Sequence, residues 1–363
     1  IDVGAKWDEN GTLISGEAWT PITSIPKGTT LDGDNHNIKG IYINANSSQE
    51  KMAFIKENYG IIKNIVIDKD CYFVTTSSSF ASLLVYNRDN AKVINCINYA
   101  NVTAINETTT KWYINWHISG LVSHNLSIIK DCENYGEVYA KVGGYSVAGV
   151  CTAIDSKNSM ISGCKNYGKV TGCGYDIGGV CGQGVANGSG SFGTIKSCIN
   201  YGEVSGGFKI AGIISRGYGK LNECANYGVI KGEYSGAGII NESLENTYIS
   251  NCYNFGDLYT TNRYIESYGK PYGGIVCNNM GKISNSYNVG KCYLKKEYKG
   301  CQLFYTNTGE VENSYYLDET LDDGTILTEE FMKSDNFLNM LGSEYVKDNS
   351  GKNNGYPMLK WQK

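Results

Sequence analysis

Along most of the chain a small residue recurs with an aliphatic residue three positions before it and another apolar residue six positions after it. The preceding position is held by Ile38, Ile62, Val93, Ile129, Ile161, Ile195, Leu221, Ile249, Ile283 and Val311. The small position is Cys in six rows, Cys96, Cys132, Cys164, Cys198, Cys224 and Cys252, with Ile41 and Ile65 before them and Ser286 and Ser314 after them. The following position reads Cys71, Val102, Val138, Val170, Val204, Ile230, Leu258 and Cys292. The residue just after the Cys varies freely among Ile97, Glu133, Lys165, Ile199, Ala225 and Tyr253, as an outward-facing strand position does. Cys and its aliphatic flanks therefore point inward.

These rows are copies of one unit. Cys132-Glu133-Asn134-Tyr135-Gly136-Glu137-Val138 is echoed at Cys164, Cys198 and Cys224, with looser copies at Cys96 and Cys252. Between them lies a second signature, two small residues and then branched apolar ones: Ser119-Gly120-Leu121-Val122, Ala148-Gly149-Val150-Cys151, Gly178-Gly179-Val180-Cys181 and later equivalents. It predicts a tight corner entering a buried strand, where a Cβ would obstruct the turn or the neighbouring layer. A unit this short cannot bury its own apolar face, whereas stacked units share one core and pair each strand with its counterpart in the next turn. The pattern predicts an all-β fold, a parallel β-solenoid (β-helix) of about ten coils, right-handed by the usual preference of parallel crossovers. At about 4.8 Å per coil the rod would be about 45–50 Å long. Stacking also predicts a buried ladder of Asn98, Asn134, Asn166, Asn200, Asn226, Asn254 and Asn288, with Tyr99, Tyr135, Tyr167, Tyr201, Tyr227 and Phe255 stacked beside it.

Residues 1–327 read as the solenoid with an N-terminal cap coil, carrying Trp19-Thr20-Pro21-Ile22 and Leu31 to His36, and residues 328–363 as a C-terminal cap. Thr328 to Leu341 predicts an amphipathic helix with Thr328 as N-cap and Glu329 and Glu330 in its first turn. The final Asn354 to Trp361 stretch is expected to plug the rod's C-terminal end.

Composition fits short strands and tight turns: 45 Gly and 29 Tyr against 4 Pro in 363 residues, with 19% charged residues. A net charge of -4 and the absence of basic runs argue against nucleic acid as a partner. No apolar stretch approaches the roughly 20 residues that cross a bilayer, so no membrane insertion is expected in this segment. The chain begins at Ile1 without a leader, as expected of a processed or excised piece.

The Trp-Thr-Pro-Ile start, the Asn-Tyr-Gly-x-Val and Gly-Gly-Ile-Val pieces and the Asn-Gly-Tyr-Pro-Met-Leu-Lys-Trp end together resemble the GLUG-motif repeat proteins. That resemblance implies a secreted or cell-surface bacterial protein of the kind common in gut anaerobes, with a β-solenoid ectodomain, and one part of a larger surface protein. Some members of that family are fused to an IgA-cleaving metallopeptidase. The resemblance carries no catalytic residues to transfer, and no His-Glu-x-x-His occurs here.

The thirteen cysteines are an odd number, so at least one is free or pairs between chains. In register they stack about 4.8 Å apart, wider than a relaxed disulfide prefers, so they read as small buried hydrophobes. Cys173 and Cys181 lack zinc-like spacing and a His partner, and no metal or cofactor is expected. His36 reads as a structural turn residue. The carboxylate pairs Asp68/Asp70 and Asp322/Asp323 have no basic partner on an adjacent row and read as solvated. A carbohydrate-active lyase or hydrolase would need carboxylates converging on one lateral face. A plain structural spacer would need neither these nor exposed aromatics.

The candidate site is the longest loop, Thr103 to His117, with Trp112, Tyr113, Trp116 and His117 as a ligand platform. Long loops on rigid scaffolds carry function, and aromatic rings stack on sugar faces. A second loop, Tyr259 to Tyr272, holds Arg263, Tyr264, Glu266, Tyr268 and Lys270. The expected function is a non-catalytic adhesion or ligand-binding module on a rigid stalk, with a host or bacterial glycan or protein as partner.

Overall fold

The computed structural model describes residues 1–45, 51–76, 79–105, 117–141, 146–184, 193–217, 219–260, 272–293 and 302–363. It is a parallel β-solenoid. Each turn contributes five short strands to five sheets, as in Val122–Asn125 (first sheet), Ile128–Lys130 (second), Glu133–Asn134 (third), Val138–Ala140 (fourth) and Ser146–Ala148 (fifth). The sheets hold ten, ten, ten, nine and eight strands in that order. The strands thus make eight complete turns and two partial ones, where about ten coils were expected.

The inward columns follow the sequence pattern from Cys96 onward. Val93, Ile129, Ile161, Ile195, Leu221, Ile249 and Ile283 stack in the second sheet and are buried, and Val102, Val138, Val170, Val204, Ile230 and Leu258 do the same in the fourth. The first rows are shifted. Leu31, not Ile38, pairs with Ile62, while Ile38 pairs with Ile67 in the Asn-ladder column. Phe73, not Cys71, pairs with Val102, because the Asp68 to Cys71 segment adds two residues to that turn. Ser286 and Ser314 keep the column intact. Each Cys thiol donates to the carbonyl two residues earlier, as Cys252 does to Ser250 at 3.2 Å, and the hydroxyls of Ser286 and Ser314 make the same bond to Ser284 and Glu312 at 2.9 and 2.8 Å.

Those bonds depend on the residue before the Cys position, which has positive φ in nine consecutive rows: Asn64, Asn95, Asp131, Gly163, Ser197, Glu223, Asn251, Asn285 and Asn313. Asn, Asp and Gly tolerate this left-handed conformation best, which explains six Asn or Asp and one Gly in that column.

The Asn ladder forms as expected. Nδ2 of Asn98, Asn134, Asn166, Asn200, Asn226 and Asn254 donates to Oδ1 of the next member at 2.7–2.9 Å, and each also donates to the carbonyl two residues on in its own turn. All six are fully buried, so the paired amides offset a desolvation that would otherwise be costly. A second, shorter ladder escaped the sequence: Asn58 to Asn87 to Asn125 at 2.9 and 2.8 Å, closing the first sheet's early strands.

Both ends of the chain cover the sides of the rod. The hairpin Lys6–Trp7 and Leu13–Ser15 sets Trp7 against Tyr42 and Tyr72. At the other end, two helices, α1 (Glu329–Met332) and α2 (Asp335–Leu341), replace the single helix expected, each with its own N-cap, Thr328 and Ser334. With Tyr345, Tyr356 and Leu359 they pack on the outward residues Ile199, Ala225, Tyr253 and Tyr287 of the third sheet, across four turns. Trp361 Nε1 donates to Glu223 O at 3.2 Å, and Tyr253 OH to Gln362 Oε1 at 2.8 Å. The expected end plug is a lateral one.

Candidate functional site

The fifth sheet of one turn meets the first sheet of the next at a re-entrant corner. Alternation puts Phe80, Ile118, Val147, Ile177 and Ile210 in the core, so their neighbours Ser79, His117, Ser146, Asp176 and Lys209 point away from it. The first four of these are nevertheless buried, because the first sheet folds back against them. Hydroxyls stitch the corner: Ser123 Oγ donates to His117 O at 3.0 Å, Ser146 Oγ to Thr152 O at 3.1 Å and Ser215 Oγ to Lys209 O at 3.0 Å.

Three charged clusters line this groove. In the lowest, Arg88 pairs with Glu57 and lies 4.2 Å over the Tyr86 ring, whose hydroxyl accepts from Lys51. A hydrogen bond from Tyr59, with Arg88 adding to it, holds the Glu57 carboxyl below its ordinary value. In the middle cluster Tyr86 stacks on His124 at 4.7 Å, His124 Nδ1 meets Asp155 Oδ2 at 2.9 Å, and Nε2 lies 3.4 Å from Ser79 Oγ. His117 lies 4.4 Å from His124, ring to ring, and its Nδ1 is buried without a hydrogen-bond partner among the described residues. Burial, with help from His124, pushes the His117 imidazole down to about 3, so it is neutral. In the upper cluster Asp176 sits 3.8 Å from Arg216 and accepts from Ser215, and Lys209 pairs with Glu242. Burial pushes the Asp176 carboxyl up against the opposing pull of Arg216 and Lys209.

An aromatic edge borders the polar column. Tyr175, Phe208 and Tyr234, each one residue before Asp176, Lys209 and Ser235, stack at 4.8 and 4.2 Å with interplanar angles of 15° and 9°. In sequence, Trp116 and Tyr145 likewise stand one residue before His117 and Ser146. Trp112, Tyr113 and Trp116 lie outside the described residues, as do Arg263, Tyr264, Glu266, Tyr268 and Lys270. His117 is described, and it belongs to the buried middle cluster. Tyr259, at the start of the second loop, stacks on Tyr293 at 4.6 Å.

The Tyr99–Tyr135–Tyr167–Tyr201 column stacks at 4.4–4.9 Å on the third sheet's flank. Its ring faces are spent on one another, and the Tyr135 hydroxyl donates to Glu133 Oε2 at 2.7 Å. Where it meets the C-terminal cap, a shallow cavity of about 430 Å³ is lined by residues including Tyr167, Tyr201, Lys352 and Trp361.

Other sequence candidates resolve differently. Asp68 and Asp70 do have a basic partner, Lys39 of the preceding turn, 3.8 Å from each, so this pair is an ion-pair clasp. Asp323 caps a turn by accepting from Thr325 N. His36 lies exposed at a turn, 3.8 Å from Asp34. Eleven described cysteines carry thiols, ten of them buried and Cys173 exposed. Cys292 departs from the expected buried-hydrophobe role, being half-buried and disulfide-bonded. Among the described residues no group of three or more His, Cys, Asp or Glu could hold a metal ion, and no helix is long and apolar enough to cross a membrane.

No protein-family model matches the sequence, and no curated protein does. Among solved structures, one from Bacteroides ovatus, provisionally described as an immunoglobulin A1 protease, is similar over 92% of this chain and 77% of its own, at 15% identity and a TM-score of 0.36. A likeness at that level carries no argument about function.

Proposed function

We propose that the protein is a surface-displayed β-solenoid module that binds a glycan along its re-entrant groove, as a secreted or cell-surface bacterial protein of the GLUG-motif kind. The observation that carries this reading is the aromatic edge Tyr175–Phe208–Tyr234 set beside the polar column Asp176–Lys209–Ser235. Sugars present apolar ring faces and hydroxyl edges, and a groove that offers aromatic carbon next to fixed donors and acceptors complements both. In sequence, Trp116 stands one residue before His117 as Tyr175 stands before Asp176, and with Trp112 and Tyr113 it belongs to the proposed ligand platform.

Carboxylates do converge on this face, as a glycosidic-bond-cleaving enzyme would need. Glu57, Asp155, Asp176 and Glu242, however, each face a cation or imidazole. Paired charges of this kind orient a ligand better than they supply a free acid and base. A glycan and mucin binding screen of the intact protein against the Trp112→Ala, Trp116→Ala double variant tests the reading. Loss of binding with the fold intact supports it, and an intact protein that binds only proteins points to a different partner.

A further inference from the structure

The middle cluster of the groove holds more than a binding contact. Asp155 Oδ2 lies 2.9 Å from His124 Nδ1, and His124 Nε2 lies 3.4 Å from Ser79 Oγ. A carboxylate at Nδ1 fixes that nitrogen as the proton donor and leaves the Nε2 lone pair facing the hydroxyl. These three residues come from the second, fourth and fifth turns, so the stacking register alone assembles a hydroxyl, a base and an orienting carboxylate in the order that nucleophilic hydrolysis uses. Apo distances of this length are common at sites that tighten on substrate.

A second observation points to the same place. His117, directly above Ser79 in the fifth sheet, has a buried Nδ1 with no hydrogen-bond partner among the described residues. A buried polar atom left unpaired is costly and calls for an explanation. A neutral imidazole beside the hydroxyl can donate one hydrogen bond to an oxyanion formed there.

We propose that Ser79, His124 and Asp155 form an acyl-ester hydrolysis site, with Ser79 as nucleophile, His124 as general base, Asp155 as positioning residue and His117 as oxyanion donor. Ser79 Oγ attacks the ester carbonyl carbon while His124 Nε2 takes its proton. Collapse of the tetrahedral intermediate breaks the bond to the alcohol oxygen, which leaves with the proton from His124. Water, deprotonated by His124, then cleaves the acyl–Oγ bond, releasing the carboxylic acid and restoring Ser79. The assignment stands apart from the glycan reading, since it uses none of the aromatic edge.

Ser79 is only 2% exposed, so access is the demanding part of the claim. The test is labelling of the full chain with a fluorophosphonate probe, located by peptide mass mapping, together with hydrolysis of p-nitrophenyl acetate. The expected result is one adduct on Ser79, absent in Ser79→Ala, slowed at least tenfold in His124→Ala, with both variants melting as the parent does. Asp155→Asn is expected to lower kcat by about 10²-fold or more with KM unchanged, which a merely structural carboxylate would not do. No adduct, an adduct on another residue, or full hydrolysis by Ser79→Ala would overturn the proposal.

Discussion

A β-carbon built on Gly149 would lie 2.2 Å from Oδ1 of Asn166 and 2.4 Å from the carbonyl oxygen of Gly179. The same meeting recurs between Gly120 and Asn134, Gly179 and Asn200, Gly212 and Asn226, Gly238 and Asn254, and Gly274 and Asn288, where the nearest side-chain atom of the Asn is 2.2–2.3 Å away. The two signatures of the repeat are thus one device. The glycine corner closes on the Asn amide of its own turn, and that amide is held in place by the turns above and below.

Gly149→Ala therefore forces both the corner and the ladder to shift. It is expected to destabilise the protein by about 1–3 kcal/mol, the usual range for overpacking a tight interior. Urea unfolding of the variant beside the parent protein checks it. Asn166→Ala removes the amide itself, leaving Asn134 Nδ2 and Asn200 one bond short, and should cost roughly 2–4 kcal/mol on the scale of unmade buried hydrogen bonds.

Acid sensitivity follows from His117. Its imidazole is neutral in the fold, at about 3, against about 6.5 in the unfolded chain. A depressed folded value contributes stability above the unfolded value that is lost as pH falls towards the folded one. Between pH 7 and pH 5 the loss should be about 2 kcal/mol, at about 1.4 kcal/mol per unit below 6.5. Denaturant melts at the two pH values check it, and His117→Gln should flatten the difference.

Thiol chemistry should separate Cys173 from the rest. Burial pushes the Cys71 thiol up to about 11 and the Cys96, Cys132, Cys164, Cys198 and Cys224 thiols well above their ordinary value, so none is a ready nucleophile. Iodoacetamide on the native protein, read by intact mass and peptide mapping, is expected to modify Cys173 first. After unfolding without reductant the other ten thiols described should label too, while Cys292 should label only after reduction.

The core was legible because it is written in single residues at fixed offsets: Cys, the aliphatic three before it, and Asn two after it. The first two rows were misread where an insertion breaks the offset, so that Ile38 and Cys71 took the places of Leu31 and Phe73. The C-terminal cap's lateral seat had a signal, since the outward column turns from Ile97, Glu133 and Lys165 to Ile199, Ala225, Tyr253 and Tyr287. The groove had none within a single row. It arises between the fifth sheet of one turn and the first sheet of later ones, and only the stacking register brings Ser79, His117, His124 and Asp155 together from positions as much as 76 residues apart in the numbering.

The central claim is that this groove and its aromatic edge hold a glycan. The most direct measurement is the affinity of the intact protein for mucin-derived glycans, compared with a Tyr175→Ala, Tyr234→Ala double variant and a Tyr99→Ala, Tyr135→Ala double variant of matched melting temperature. Binding that falls at least tenfold in the first variant and persists in the second is the predicted result. Binding that survives loss of the groove edge, or depends instead on the Tyr99 column, would contradict it.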